Sequence, residues 1–402
     1  MASLISIPKE EARRFLVSKQ LFLSGRGKGG SLEATRQLEC IQRDPINVVH
    51  RNHHLVLHDR VIDYEPSFLT QLLYKEKSLF EYWCNAKSII PSRDLPYFRF
   101  RMKNPTLFHS PFYERIKRRR GELRHEISLV LSEIQKHGPL SAKELQERLL
   151  KRKQATHVLN LLWDLGELMI HHVDGNARYY DLAERVLPCN EELPSLEEYR
   201  SFMVKKYMKA YGLVDVRDWR FGWLSMKAPQ RRDLVSKMEK TDELTSVKVE
   251  NVKHTYYALA ECRERLEAPS APVERHVLLI PPLDNLLWNR RLLSEIFDFN
   301  YSWEVYKVPD KRIYGYYVMP ILNGTSFVGR LDPKLDRKSR RLIVNSLILE
   351  KEADPDFLEG LAETLRRFLK LHNARELTIG RTEPTGLKGN LMRELKKLGP
   401  KE

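Results

Sequence analysis

The chain has 402 residues, 42% apolar and 31% charged, a composition typical of a globular protein of two to four domains. Its 18 glycines and 21 prolines are too few for a disordered or fibrous protein, and no run approaches the roughly 18 consecutive apolar residues of a membrane helix. The 69 lysines and arginines exceed the 54 acidic residues and leave a net charge of +15. This charge indicates a polyanionic partner, most simply nucleic acid.

The four cysteines are far apart in the sequence and form no C-x-x-C pair. This spacing excludes a sequence-evident zinc ribbon or disulfide framework and is typical of proteins in a reducing cytosol. The first 14 residues lack the apolar segment of a signal peptide and carry acidic residues, so we expect a cytoplasmic protein.

Two helical patterns come first, from Lys9 to Phe22 and from about Ser31 to Ile41, and a glycine-rich insert, 24–31, separates them. The insert lacks the G-x-x-x-x-G-K-[ST] spacing of a phosphate-binding loop. Two interpretations stay open: a plain linker, or a mobile basic loop whose Arg26 and Lys28 contact a DNA backbone.

The densest basic run lies between Tyr113 and Arg124 and would ordinarily be a solvated helix face or a linker. We interpret it as a DNA-backbone contact because the segment that follows resembles a DNA-binding fold. Its basic residues are Arg115, Lys117, Arg118, Arg119 and Arg120.

The segment 122–188 has the pattern of a winged helix, in which three helices precede a β-hairpin. Gly138 ends the first predicted helix, Ser141 and Glu144 form a capping-box pair at the start of the second, and Gly166 ends the third. The first predicted helix has an apolar face from Leu123 to Ile134 and stops at Gly138-Pro139. The other predicted elements are helices from Ser141 to Leu149 and from about Ala155 to Leu165, and strands from Leu168 to Val173 and Ala177 to Leu182, joined by a turn at Asp174-Gly175-Asn176.

The segment 194–261 repeats this order and predicts a second winged helix. Its predicted elements are a helix from Leu196 to Tyr211, a tryptophan-rich pair of short helices (Trp219, Trp223, then Pro229 to Met238), and strands from Leu244 to Val249 and His254 to Leu259.

From His276 onward the pattern predicts a small β-rich domain with one helix. The strands are expected at Val277 to Ile280, Trp303 to Val308, Tyr314 to Leu322, Ser326 to Leu331, Leu342 to Leu349 and Glu376 to Ile379, and the helix at Asp356 to Leu371. The predicted class is therefore α+β, with tandem winged helices followed by a C-terminal β-rich domain. The predicted domains are 1–120, helical or winged-helix; 121–190 and 191–265, winged helices; and 270–402, β-rich.

Several stretches, in order along nearly the whole chain, resemble the signature of the YcaQ/AlkZ winged-helix DNA glycosylases. They are 41–49 (IQRDPINVV) with Arg51-Asn52-His53-His54 and Leu57, Phe80-Glu81-Tyr82-Trp83, Pro91-Ser92-Arg93-Asp94, 279–285 (LIPPLDN) and Gly329-Arg330-Leu331-Asp332. The resemblance implies tandem winged helices with a C-terminal β domain. The implied activity is excision of alkylated, usually cationic, purines from DNA, and the YcaQ branch is associated with unhooking of nitrogen-mustard interstrand crosslinks.

The family's catalytic motif is a glutamine, an apolar residue and then glutamine or aspartate. Gln42 and Asp44 match the Q-x-D form, which resembles the YcaQ branch rather than the Q-x-Q form of AlkZ. Arg43 departs from the apolar middle position, and Asn85 stands where a histidine is expected after Phe-Glu-Tyr-Trp. The two departures predict a divergent subgroup with a shifted substrate range.

Cleavage of an N-glycosidic bond passes through an oxocarbenium-like state, which a carboxylate stabilises. We assign to Asp44 the stabilisation of the sugar cation and the orientation or deprotonation of water, and to Gln42 the holding of that water or of a DNA group. The ordinary alternative is a helix cap beside an exposed neighbour.

The histidines His50, His53, His54 and His58 form the one dense histidine cluster. His50 and His54 have i, i+4 spacing, but no third zinc ligand is evident, so packing or phosphate contact is the preferred interpretation. Because His53 and His54 fall in the resembling stretch, we place them near the active site, together with Asn85. Glu81 is interpreted either as a second carboxylate of the site or as the buried partner of an arginine such as Arg51 or Arg93. Trp83 is expected in the core.

The leading hypothesis is a metal-independent, cofactor-free DNA glycosylase. The alternative is a non-catalytic winged-helix regulator, which would have no reason to carry the Gln42-x-Asp44 motif; a nuclease is disfavoured because no paired-carboxylate metal motif stands out. The expected partner is double-stranded DNA carrying alkylated bases or crosslinks, bound by a monomer associated with the bacterial nucleoid. Arg51 joins Arg26, Lys28 and the basic run among the predicted DNA contacts.

Overall fold

The structure, a computed structural model, describes residues 4–104, 118–189, 191–268, 274–352 and 354–398. The chain divides into two compact units. The first consists of Met1–Pro66, Met208–Val216 and Asp233–Glu402, and the second of Ser67–Tyr207 and Arg217–Arg232. Within the described ranges no helix is long and apolar enough to cross a membrane.

Helices and strands are mixed throughout the chain, which confirms the α+β class. The helices are α1 (Lys9–Ser18), α2 (Gly27–Gln37), α3 (Asn52–His58), α4 (Pro66–Thr70), α5 (Leu95–Lys103), α6 (Arg124–His137), α7 (Ala142–Arg148), α8 (Arg152–Asp164), α9 (Ala183–Val186), α10 (Leu196–Tyr211), α11 (Ala228–Lys240), α12 (Arg263–Glu267), α13 (Arg290–Ile296), α14 (Phe357–Leu371) and α15 (Leu387–Lys397). The strands are β1 (Ile5–Ile7), β2 (Ile41–Gln42), β3 (Leu79–Trp83), β4 (Lys87–Pro91), β5 (Leu140–Ser141), β6 (Leu168–Asp174), β7 (Ala177–Leu182), β8 (Leu244–Val249), β9 (Thr255–Leu259), β10 (Val277–Leu279), β11 (Met319–Asn323), β12 (Ser326–Asp336), β13 (Arg341–Leu349) and β14 (Glu376–Glu383).

The first unit is built around a five-stranded sheet of order β10-β11-β12-β13-β14. Its pairs are antiparallel except β13–β14, which is parallel. A parallel pair needs a crossover connection, and α14 supplies it. The core contains Leu342 and Leu347 of the sheet, Phe368 of α14, and two residues that follow the Gln42 motif, Val49 and Leu55. The chain just after the motif is thus fixed in the core.

A three-stranded sheet of order β1-β8-β9 also belongs to the first unit. The predicted strand from Leu244 to Val249 is confirmed, and the one predicted from His254 begins at Thr255. The N-terminal strand Ile5–Ile7, which the sequence pattern did not predict, pairs in parallel with β8.

The second unit contains α6, α7, α8 and a three-stranded sheet of order β5-β7-β6. The predicted hairpin is confirmed: β6 and β7 pair antiparallel, and Asp174 faces Ala177 across a turn in which Gly175 has φ +55°. The capping box of Ser141 and Glu144 is also present. The elements follow the predicted order, whereas their interpretation as a winged helix stays a prediction.

Residues 27–31 of the glycine-rich insert are helical, so the linker and mobile-loop interpretations are wrong for that part, and residues 24–26 lie outside the helix. Helix α2 begins at Gly27, whose N–H donates to the Asp63 carboxylate at 2.6 Å. A Cβ on Gly30 would lie 2.8 Å from the Cα of Gly25, so these glycines permit close backbone contact rather than mobility. Helix α1 correspondingly ends at Ser18, because Leu21 and Leu23 adopt positive φ values of 54° and 50°.

Three predictions in the C-terminal part are wrong. Trp303 to Val308 is not a strand but contains a single 3-10 turn, Glu304–Tyr306, and β11 begins at Met319 rather than Tyr314. The reason is that the buried Glu304 carboxylate accepts the N–H groups of residues 313–315, which a strand ladder would otherwise use. Two helices besides α14 are present after His276, α13 and α15, so the prediction of a single helix is wrong.

Candidate active site

The Gln42-Arg43-Asp44 motif lies where the chain passes from the core to the surface of the first unit. Cys40 and Ile41 are completely buried, whereas Gln42, Arg43 and Asp44 are partly exposed. The hydrophobic residues fix the start of the segment, and the polar side chains that follow are accessible to a ligand.

Side-chain amides hold the backbone on both sides of Gln42. Asn52 Nδ2 donates to the Gln42 carbonyl oxygen at 3.0 Å, and Asn285 Nδ2 donates to the carbonyl oxygens of Leu38 and Cys40, both at 3.0 Å. Both asparagines are almost completely buried, so each bond is shielded from water. Asn52 and Asn285 belong to two of the stretches that resemble the family signature, 51–54 and 279–285. In the structure they hold the backbone of the motif in place.

A buried ion pair supports the same region. Arg60 and Asp284 are both 0% exposed and form a bidentate pair, with Nη1–Oδ2 at 2.8 Å and Nη2–Oδ1 at 3.1 Å. Arg60 also donates to the Val56 carbonyl and to Gln20 Oε1, both at 2.9 Å, and Asp284 accepts the Leu286 N–H at 2.9 Å. The pair therefore joins the end of α3 to the segment that carries Asn285.

Asp44 is oriented by its own backbone turn. Its Oδ1 accepts the N–H of Ile46 at 2.8 Å, spanning Pro45, which has no N–H of its own. Among the described residues, Oδ2 has no hydrogen-bond partner. The helix cap, the alternative interpretation, is not observed, since no helix adjoins Asp44 and α3 begins eight residues later.

The charge of Asp44 influences the hydroxyl of the buried Tyr317. Burial raises the pKa of the Tyr317 hydroxyl, and the charges of Tyr301 and Asp44 raise it further. The Tyr317 N–H donates to Asp332 Oδ1 at 2.7 Å, and Asn345 donates to Asp332 Oδ2 at 3.1 Å. Asp332, the last residue of the stretch 329–332, thus holds the backbone at Tyr317.

The predicted histidine cluster is a packed group of rings. The ring centroid of His54 lies 4.5 Å from that of His50 and 4.4 Å from that of His53, and the ring of His372, in the turn after α14, lies 5.7 Å from His50. His54 Nδ1 is 2.6 Å from the Tyr64 hydroxyl. Burial lowers the pKa of His50 to about 4, with Arg337, Arg51 and His58 adding to the effect, and it lowers the pKa values of His53 and His54 as well.

The geometry of these rings differs from the zinc-ligand arrangement that the histidine spacing suggested. His50 precedes α3, so the i, i+4 pair does not lie on one helix face as its spacing suggested. Within the described ranges, no three or more histidine, cysteine, aspartate or glutamate side chains are grouped so that they could hold a metal ion. The packing interpretation is the one that the ring contacts support.

The burial of the histidines predicts that the stability of the protein depends on pH. Burial lowers the pKa of His58 to about 3, with Arg367 adding to the effect, whereas an unfolded histidine has a pKa near 6.5. Since the folded state keeps the ring neutral, stability is fully present above about pH 6.5 and falls as the pH drops toward 3, by up to about 1.4 kcal/mol per pH unit for this residue. We expect His58→Leu to flatten the decline in unfolding free energy between pH 6.5 and 4.5, measured by urea denaturation. An identical pH slope in the variant would show that His58 is protonated in the folded protein.

Glu81 and Asn85 belong to the second unit. Glu81, in β3, is 7% exposed, accepts from the Tyr74 hydroxyl at 2.5 Å and pairs with Arg178 at 3.8 Å. Glu81 thus has Arg178 as an arginine partner, a residue that the sequence pattern did not single out. Asn85 is partly buried in the β3–β4 turn. Their place in the same site as Gln42 stays a prediction.

The Phe-Glu-Tyr-Trp stretch that contains Glu81 forms a strand in the second unit. Trp83 is half-buried rather than a core residue, because its Nε1 donates to Asp164 Oδ1 at 2.8 Å and its ring is partly exposed. Tyr82, at 1% exposed, occupies the core position instead and donates to the Asp164 carbonyl at 2.5 Å.

The predicted DNA-contact residues are distributed over both units. Arg26 is exposed just before α2, Lys28 is in its first turn, and Arg51 precedes α3 and is partly buried. In the second unit, Arg118 pairs with Glu122 at 3.7 Å and Arg120 with Glu167 at 2.9 Å, while their side chains remain 71% and 56% exposed. Arg119 is exposed beside them. Arg115 and Lys117 lie outside the described residues.

The residues that sequence reasoning missed are those that support the motif. Arg60 and Tyr317 were not singled out, and Asn52, Asp284 and Asn285 were noted only as part of the resembling stretches. Each is almost completely buried, which is unusual for Arg, Asn and Asp and becomes visible only when the fold is known.

Comparison with known proteins identifies a family and similar solved structures. The family model described as "DNA glycosylase AlkZ-like" matches residues 35–371, which include the motif, the histidines and most of the C-terminal sheet. Among solved structures, the DNA glycosylase AlkZ of Streptomyces sahachiroi is similar over 95% of this chain and 100% of its own, with 18% sequence identity and a TM-score of 0.63. The second match shows that the fold is shared.

Proposed function

This chain belongs to the AlkZ-like DNA glycosylase family, and from that premise we propose that it hydrolyses the N-glycosidic bond of cationic, N7- or N3-alkylated purines in DNA. Membership makes it a DNA-binding repair enzyme. The observation that carries the proposed chemistry is the motif's geometry: Gln42 and Asp44 are partly exposed on a backbone that Asn52 and Asn285 hold in place.

The cationic lesion decides what the protein has to supply. When the bond between C1′ and the base nitrogen breaks, its electron pair neutralises the positive purine, so no strong acid is needed to protonate the leaving group. The sugar is left as an oxocarbenium ion, which a nearby carboxylate stabilises. Water then adds to C1′ and loses one proton.

Asp44 suits the carboxylate role because one oxygen is committed to the Ile46 N–H, which fixes the group's orientation, and the other is available. The available oxygen can face the sugar cation and accept the proton from water. Gln42, whose amide both donates and accepts, would hold that water or a DNA group. The Q-x-D form supports the further proposal that interstrand crosslinks joined through N7 of guanine are substrates, since each crosslinked base is also cationic.

For DNA binding, we propose that the segment 124–182 acts as a winged helix. Its third helix, α8, begins with exposed Lys151, Arg152 and Lys153, and the N-terminal residues of this helix are those that approach DNA in helix-turn-helix proteins. The hairpin β6–β7 would be the wing.

The proposed substrate class is tested by comparing lesions in one duplex sequence, with EDTA present. We expect release of N7-methylguanine and N3-methyladenine, and unhooking of a nitrogen-mustard crosslink, but no release of a neutral lesion such as 8-oxoguanine. Equal release of neutral and cationic bases would contradict the proposal, because the protein would then have to protonate the leaving group.

We further expect that replacing Arg118, Arg119 and Arg120 together with glutamine weakens binding to damaged and undamaged duplex equally. Removal of each arginine–phosphate interaction should reduce the slope of log affinity against log salt concentration by about 0.9. Interactions with the DNA backbone do not read a lesion, so discrimination between the duplexes should survive. The measurement is fluorescence anisotropy at several salt concentrations.

A matched control removes three exposed lysines of α15, Lys388, Lys396 and Lys397, by the same substitution. It changes the net charge equally and separates a local interaction from a general charge effect. A salt slope in the arginine variant equal to that of the control would exclude the run from the DNA footprint.

A further inference from the structure

The loop between residues 303 and 317 of the first unit exposes an unusual number of large apolar side chains. Tyr306 is 84% exposed, Ile313 69%, Val308 56% and Tyr316 38%. Single exposed apolar residues are ordinary on protein surfaces, but four within eleven residues mark an interaction surface. We call the segment 304–316 the aromatic loop.

The charges of the aromatic loop are mostly positive. Lys307, Lys311 and Arg312 are exposed or nearly so, and Arg312 also lies over the Tyr316 ring at 4.8 Å. Of its two carboxylates, Asp310 is exposed, whereas Glu304 is 1% exposed and forms an ion pair with Lys307 at 2.8 Å. An apolar tip flanked by cations fits a polyanion that also offers flat apolar faces.

The loop is held in one shape from within. The Glu304 carboxylate accepts the N–H groups of Ile313 at 3.0 Å, Tyr314 at 2.9 Å and Gly315 at 3.3 Å. Burial opposes ionisation of Glu304, but the Lys307 ammonium and these N–H donors outweigh it and lower its pKa. Arg312 Nε donates to the Lys307 carbonyl at 2.9 Å and closes the other side. The exposed rings are therefore presented on a preorganised loop, which reduces the entropy lost on binding.

Ring contacts connect the loop to the buried Tyr317. The Trp303 ring contacts Tyr306 on one side, with centroids 5.9 Å apart, and Tyr317 on the other, with centroids 6.2 Å apart. Tyr317 is the buried residue whose hydroxyl is influenced by the charge of Asp44. Two ring contacts thus connect the exposed Tyr306 to the neighbourhood of Asp44.

We propose that the aromatic loop binds duplex DNA beside the lesion, with the Tyr306 ring and the Ile313 side chain packed against bases and Lys311 and Arg312 on the backbone phosphates. This inference rests on the proposed function, since the occupant is the DNA that Asp44 would act on. The loop fills the space left when a damaged nucleotide leaves the stack, as apolar side chains do in other proteins that distort DNA.

The test uses DNA that cannot be cleaved, so that it does not depend on base release. A duplex with a tetrahydrofuran abasic analogue and 2-aminopurine in the neighbouring position reports unstacking by fluorescence. We expect the full-length wild-type protein to raise the fluorescence and Tyr306→Ala to abolish the rise and weaken binding about 5- to 150-fold, the range of base–aromatic stacking. Tyr306→Phe, which keeps the ring, should restore both.

Lys311→Gln should reduce the salt slope of binding by about 0.9, whereas Lys396→Gln, an exposed lysine of α15, serves as the matched charge control. Ile313→Ser removes a second apolar side chain of the loop, at an exposed position where the substitution should not affect folding. Unchanged fluorescence and affinity in both Tyr306→Ala and Ile313→Ser would overturn the proposal for the loop. Failure of the wild-type protein to release alkylated bases, with these binding effects intact, would instead overturn the proposed chemistry.

Discussion

Replacement of Asp44 by asparagine is expected to slow base release by about 100-fold or more, the effect of removing one electrostatic group from a transition state. The substitution preserves shape and the hydrogen bond to the Ile46 N–H, but removes the negative charge that would face the sugar cation. Since the charge acts only when the bond is breaking, the dissociation constant for damaged duplex should stay within a few-fold of wild type. The rate is measured in single turnover at saturating protein.

Gln42→Ala is the companion to this experiment. An amide can position water but cannot offset a positive charge, so we expect a loss of about 10-fold, the effect of one hydrogen bond. A loss at Gln42 that equals or exceeds the loss at Asp44 would reverse the two assigned roles. Retained turnover in Asp44→Asn would move catalysis to another residue, with Glu81 the next candidate.

Loss of the buried Arg60–Asp284 pair is expected to have the largest effect on stability. Asp284→Ala would leave the Arg60 guanidinium, which is 0% exposed, without its counter-charge, at a cost of about 3–5 kcal/mol in the free energy of unfolding. The matched control is Glu376→Ala, which breaks the exposed pair with Arg341, whose side chains are 44% and 57% exposed. The control should cost about 1 kcal/mol or less. Urea denaturation of both variants makes the comparison.

If Asp284→Ala does not fold, Asp284→Asn keeps the shape and, at its one carbonyl oxygen, can still accept from Arg60 Nη2 and the Leu286 N–H, so it should give a smaller loss in the same direction. A loss at Asp284 no greater than that at Glu376 would show that Arg60 is solvated in the protein. The ion pair would then not brace the motif.

Local patterns predicted the elements whose determinants are close in the sequence. The capping box of Ser141 and Glu144 and the turn at Gly175 each depend on residues within a few positions, and both are present. The strand at Trp303 was predicted from the same kind of pattern and is wrong, because the buried Glu304 carboxylate satisfies backbone groups nine to eleven residues away. That competition is not visible in a local pattern.

The candidate site shows the same division. Gln42 and Asp44 could be selected from a motif in the sequence. The contacts that hold their backbone could not be predicted from the sequence. Asn285 lies more than 240 residues from Leu38 and Cys40, and only the fold brings its side-chain amide to their carbonyl oxygens. The glycine content of 24–31 led to the prediction of a loop for a related reason. Gly25 and Gly30 permit a close backbone contact, and composition alone does not distinguish that use of glycine from mobility.

The central claim is that Gln42 and Asp44 belong to an active site that releases cationic purines. Its most direct test is mass spectrometry of the products when wild-type protein, in excess and with EDTA, is incubated with duplex carrying a single N7-methylguanine. We predict free 7-methylguanine and an equal amount of abasic duplex, both formed about 100-fold or more slowly by Asp44→Asn. Duplex that is bound but left intact by the wild-type protein, or equal release by the two proteins, would contradict the claim.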